Sequence, residues 1–198
     1  MGFTDQDGRF TVMARALIAL LCAVAYVFLF QLNFMLFAEL EFSEGVNWIF
    51  LPSGLRLLLV LVLDEVGAIG IILGSLAINY LYVDSAHPNY HVFNTITAFI
   101  SGFAPYLARK IAVDGFNIDV NLQGMTRRIF FKITLLFALI SPALHQLWFY
   151  WCDVTENFVA STFAMFVGDW LGTVLIIGFA NLCIHAFTHL KNGHRLPM

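Results

Sequence analysis

Two ionisable side chains of opposite sign stand inside long apolar runs of this chain. Arg56 lies in the run WIFLPSGLRLLLVLVLDEVGAIGIILGSLAIN, from Trp48 to Asn79, and Asp169 lies in the run 158–187. Counted at 1.5 Å per helical residue, Arg56 is ~12 Å from Asp64, and Asp169 is ~16 Å from Phe158. In a hydrocarbon core about 30 Å thick, both depths fall near the middle. A charge there costs about 2.5–3.5 kcal/mol on insertion scales, so it faces protein and pairs. Matched depth and opposite sign predict an Arg56–Asp169 contact. Such a pair either fixes helix packing or forms the floor of a polar site.

More polar groups sit higher, toward the other end of the same runs. Asn79, Asn94, His145 and Gln146 fall in the outer half by the same arithmetic, and Ser53 and Trp170 join this network. Trp48, Trp148 and Trp170 are expected to wall it. A pocket polar at its base and aromatic at its sides, open to the outer face, is a candidate ligand site. The amides also serve as helix-to-helix hydrogen bonds. His145 is first a neutral hydrogen-bonding residue of the interior, and secondly a group able to titrate near neutrality. His87/His91 and His185/His189 have the i,i+4 spacing that clasps a metal on a helix. Pro88 breaks helical geometry at the first pair, and the second lies where a helix leaves the membrane. No metal or cofactor is expected. No nucleophile–base arrangement, phosphate loop or zinc motif is present, so the chain does not read as an enzyme.

The elements that position these residues are helices in lipid. The chain has 198 residues, 60% hydrophobic and only 12% charged, with 21 Phe. That composition belongs to a membrane protein. Three scattered cysteines, Cys22, Cys152 and Cys183, make neither a disulfide framework nor a zinc site. We read one all-α integral membrane domain over 1–198, a polytopic bundle with spans at about 12–37, 52–63, 66–83, 92–111, 129–151 and 158–187. The first is basic-flanked but too long for a signal peptide and lacks a prompt cleavage site. The second opens at Pro52, which suits a first helical turn. At roughly 18 Å it is too short to span alone. The segment before Pro52 must then enter the membrane in non-helical form, which is tolerated only where protein or a cavity surrounds it. Asp64 and Glu65 mark the turn into the third span, where Gly70 and Gly74 form a small-residue packing face. Pro105 and Pro142 are expected to kink the fourth and fifth spans. The stretch from Asp114 to Arg128 reads as a surface loop.

Six spans put both termini on one side. That side holds Arg9, Arg15, Arg109, Lys110, Arg127, Arg128, Lys132, Lys191 and Arg195, while the opposite loops hold no Lys or Arg. The positive-inside rule then makes both termini cytoplasmic. The expected surroundings are the lipid bilayer, a signalling or assembly protein in or at the membrane, and optionally a second copy in a homo-oligomer. The basic loops read as a solvated, lipid-facing side, with no nucleic acid implied.

Three short motifs carry a resemblance. Trp48-Ile49-Phe50-Leu51-Pro52-Ser53-Gly54-Leu55 resembles the W-x-P-P-S-G signature that opens the second helix of MASE1 membrane sensor domains. Gly70 to Asn79 is similar to that family's G-x-x-L-G-x-x-x-x-N helix, and Gly168-Asp169-Trp170-Leu171-Gly172 to its late G-D-x-L-G motif. The resemblance covers 48–180 and implies a multi-pass sensory module of the bacterial inner membrane. Relatives often have about eight spans, a basic hairpin turn and a fused output domain. Here six spans, an acidic turn and an end at Met198 imply that the signal passes to a separate partner. Two other readings compete. One is the substrate-binding subunit of an energy-coupling-factor transporter, with the Gly70/Gly74 face docking its partner. The other is a structural scaffold in which the buried pair only sets packing.

Overall fold

The computed structural model describes residues 11–43, 45–82, 90–116 and 125–193. Six helices follow one another: α1 (Val12–Phe37), α2 (Leu51–Leu63), α3 (Glu65–Tyr82), α4 (Tyr90–Phe116), α5 (Arg127–Trp151) and α6 (Phe158–Gly193). Each expected run is a helix, longer than expected in α4 and α6. Polar side chains start several of them. Thr11 Oγ1 accepts from Ala14 N, Thr126 Oγ1 from Ile129 N, and Asn157 Oδ1 from Ala160 N, each satisfying a first-turn N–H that has no partner within its helix. Pro52 sits in the first turn of α2, while Pro105 and Pro142 lie inside continuous helices. Among the described residues, the departure from all-α is an antiparallel pair, β1 (Glu41–Ser43) and β2 (Val46–Asn47), after a 3-10 turn at Ala38–Leu40. Gly45 has φ 70, a left-handed turn conformation that glycine adopts without steric cost.

The acidic hairpin turn is a single residue, Asp64 (φ 52), between α2 and α3. Arg109 of α4 donates to its carboxylate at 2.7 Å, and Arg15 of α1 reaches Glu65 at 3.3 Å. The opposite charges thus come from neighbouring helices and pin that end of the bundle.

Helix α2 lies against α1, α3, α4 and α6, while α1, α3, α4, α5 and α6 neighbour one another in that order around it. Its lower half packs tightly. Leu57 and Leu61 meet Ala104, Ala108 and Ala112 of α4 and Ile133 and Phe137 of α5. Val60 meets Tyr26, Ala68 and Ile71. The outside is apolar: Leu20, Leu21, Val24 and Phe28 of α1, Leu139 and Leu147 of α5, and Phe163, Phe179 and Leu182 of α6 are all exposed. The interior instead holds Arg56, Asn79, Asn94, His145, Gln146 and Asp169. Polar groups inside and apolar groups outside is the arrangement suited to lipid as solvent. Helices α1, α5 and α6 contain segments long and apolar enough to cross a membrane. Helices α2 and α3 are apolar but shorter, and α4 carries Asn94, Arg109 and Lys110.

The small face of α3 is occupied. A Cβ at Gly74 would stand 2.9 Å from Ala23 O, and one at Gly70 would strike Cys22 and Ala19. Helix α1 therefore covers the Gly70/Gly74 surface. The expectation that it docks a transport partner is corrected.

Candidate ligand pocket

The pocket begins with the chain entering α2. Residues 48–50 are non-helical, and protein meets their backbone groups. Trp48 N donates to Leu40 O at 3.1 Å, and Phe50 N donates to Gly168 O at 3.2 Å. Asn33 of α1 accepts from Leu51 N through Oδ1 at 2.8 Å. This answers the requirement that buried irregular backbone find partners. A Cβ at Gly168 would collide with Asn47 O, and one at Gly172 with Phe50 O. The two motifs quoted above thus meet in space: G-D-W-L-G is the bare track on which the segment before Pro52 lies. Ser53 fastens the junction, its Oγ standing 2.7 Å from Phe50 O and 2.8 Å from Asp169 O. One hydroxyl proton serves both carbonyls.

Beside this junction lies a cavity of about 560 Å³. Glu41, Gly45 and Asn47 of the β-hairpin and Val154 of the α5–α6 turn line it, so it lies toward the hairpin end of the bundle. Arg56, Ser75, Asn79, Asn94, Thr97, Ser101 and His145 supply polar lining. Phe30, Phe34, Phe50, Phe93 and Phe149 supply apolar walls. The size and the mix of many apolar with few polar groups suit a small ligand.

Four of the eight expected site residues line this cavity: Arg56, Asn79, Asn94 and His145. The other four are buried or half-buried outside its lining and act differently. Ser53 is the clamp just described. Gln146 accepts from Thr155 Oγ1 at 2.8 Å and so holds the α5–α6 turn. Asp169 and Trp170 stand on α6 behind the junction. The expected tryptophan walls are also corrected. Trp48 packs edge-on against Phe42 and Phe163, and Trp148 stacks on Phe93, while phenylalanines line the cavity.

The expected Arg56–Asp169 contact is not an ion pair: among the described residues no carboxylate oxygen lies within 4.0 Å of the guanidinium. Ser141 of α5 intervenes, its Oγ accepting from Arg56 Nη2 at 2.8 Å. The same hydroxyl lies beside the Asp169 carboxyl without closing a hydrogen bond of ordinary geometry. Arg56 Cζ also stands 5.3 Å from the centroid of Phe137, within cation–π range. Arg56 Nε and both Asp169 carboxyl oxygens have no hydrogen-bond partner among the described residues.

Above Arg56, hydroxyls, imidazole and amides stitch α3, α4 and α5. Ser75 Oγ donates to Ser101 Oγ at 3.2 Å, and Ser101 Oγ lies 3.3 Å from His145 Nε2 and 3.0 Å from Thr97 O. His145 Nδ1 is 2.8 Å from Ser141 O, a carbonyl that only accepts. Nδ1 therefore carries the proton, and Nε2 faces the Ser101 hydroxyl, whose one proton is shared with Thr97 O. Asn79 and Asn94 reciprocate, each amide nitrogen donating to the other's backbone carbonyl at 3.0 and 3.2 Å. This uses one N–H of each amide, and among the described residues Asn94 Oδ1 and Thr97 Oγ1 have no partner. The arrangement offers a cation, a hydroxyl and an amide oxygen to an occupant.

The sequence reading missed Asn33, Ser75, Thr97, Ser101 and Ser141. Asn33 had a legible signal, an amide two residues after Gln31 in an otherwise apolar run. Serines and threonines carry no such signal, because helices in lipid accommodate them freely. Of the histidine pairs, His87 and the His189 side chain lie outside the described residues, as do residues 117–124 of the expected loop, whose ends at 114–116 and 127–128 belong to α4 and α5. No protein-family model, curated protein or solved structure matches the chain.

Proposed function

We propose that this chain is a multi-pass sensor or adaptor of the bacterial inner membrane, receiving a small ligand in the cavity and passing the signal to a separate partner protein. The observation that carries this reading is the cavity itself: about 560 Å³, with a buried guanidinium in its lining whose Nε has no partner among the described residues. In this reading all six helices cross or enter the bilayer and both termini are cytoplasmic. The end holding Arg15, Arg109, Arg127, Arg128 and Lys132 faces inward, and the hairpin faces outward. The cavity touches α1 to α6, so an occupant favouring one helix arrangement over another would shift the population.

The test is a partner census. The tagged protein is purified from its native membranes in mild detergent, and co-purifying proteins are identified by mass spectrometry. The reading expects a kinase, a cyclic-di-GMP enzyme or another signalling or assembly protein at a defined ratio. An ATPase with a membrane coupling subunit would replace it with the transport reading.

A further inference from the structure

We propose that the cavity takes an organic acid with one anionic oxygen head and a compact apolar body, the head seated on Arg56. The proposal rests on the reading of the cavity as a ligand site. Arg56 is 1% exposed, yet it reaches the cavity lining. The planar fork has five N–H donors; Nη2 donates to Ser141, and the Tyr26 hydroxyl is the other polar neighbour of the group. Among the described residues Nε meets no acceptor, and no carboxylate closes an ion pair with the group. A buried guanidinium so sparsely satisfied suits an incoming oxyanion, with which it makes paired, charge-assisted hydrogen bonds.

Asp169 does not compete for that position, since it is buried on α6 outside the cavity lining. The head therefore meets the cation first. Thr97 Oγ1, buried and unpartnered, adds a hydroxyl donor, and Asn94 Oδ1 adds an acceptor for an N–H or O–H on the ligand body. The phenylalanine walls fit an apolar ring. Glu41 at the hairpin end disfavours a second negative charge on the tail. The same chemistry has two sources: a water-soluble aryl acid from outside, or a fatty acid from the bilayer.

The full chain in nanodiscs is melted while tryptophan fluorescence is followed. The probes are 4-hydroxyphenylacetate, indole-3-acetate and decanoate, with the matched primary amides. The aryl acids are expected to raise the melting temperature saturably, with the amides at least ~10-fold weaker, because ligand bound to the folded state stabilises it by mass action. A shift with decanoate alone would assign the bilayer source. The charge-neutral double variant Arg56→Gln/Asp169→Asn is expected to lose the acid-dependent shift. Thr97→Val, nearly isosteric, is expected to fold normally and bind the acids several-fold more weakly. Amides binding as tightly as acids, an undiminished shift in the double variant, wild-type affinity in Thr97→Val, or no shift with any acid would each overturn the proposal. The partner census is independent of these probes. A signalling partner without acid binding removes only the ligand class, and acid binding beside a transport ATPase removes only the signalling reading.

Discussion

Isolated polar residues in apolar runs were the legible part of the pocket. Arg56, Asn79, Asn94 and His145 were found because each is costly in lipid unless it faces protein, and all four line the cavity. The same logic placed Asp169 in the interior, but depth and sign alone do not measure the lateral separation of two helices. Ser141 takes the position expected for the carboxylate. Asn33 makes the clearest single-residue prediction. Its Oδ1 caps Leu51 N, the first N–H of α2. Asn33→Leu should leave that donor buried and unpaired, at a cost of about 1–3 kcal/mol. The expected outcome is a lower melting temperature in detergent. An unchanged melting temperature would show that the cap contributes nothing.

Between elements, the informative junction is the one between the segment before Pro52 and α6. Its non-helical character was legible, because a 13-residue helix cannot cross the hydrocarbon and something must precede it. Its partner was not legible. The glycines of G-D-W-L-G gave a motif without saying that their missing side chains admit a backbone. In the sequence, Glu39, Glu41 and Glu44 read as an acidic connector and do not reveal the β-hairpin that turns at Gly45. Two substitutions on one helix test the junction. Gly172→Ala drives a methyl into Phe50 O and should destabilise by about 1–3 kcal/mol or more. Gly178→Ala, six residues on, meets nothing within 4 Å and should be neutral or stabilising, by up to about 1 kcal/mol. Thermal melts of the two variants in the same detergent compare them directly; equal behaviour would contradict the packing described.

For the whole molecule, the fold class followed from composition and run lengths, and the described helices agree with it to within a few residues apart from the extended α4 and α6. What composition could not supply was the hollow: a bundle tight around Leu57 and Leu61 and open above Arg56. That asymmetry comes from α2 being short, so that side chains of its neighbours face one another across the missing turns. Orientation is testable in intact cells with a cysteine-free chain, replacing Cys22, Cys152 and Cys183. Asp153→Cys, at the hairpin end, should react with a membrane-impermeant maleimide added outside. Arg128→Cys, at the opposite end, should react only after permeabilisation. The reverse pattern would invert the topology.

The central claim is that the cavity is an outward-facing ligand site, and Thr97→Cys in that background tests it most directly. The substitution places a thiol at an unpartnered position of the lining. A small impermeant thiosulfonate added to intact cells should modify it, and 4-hydroxyphenylacetate should slow the reaction. A thiol that reacts only after permeabilisation, or not at all, would contradict the account.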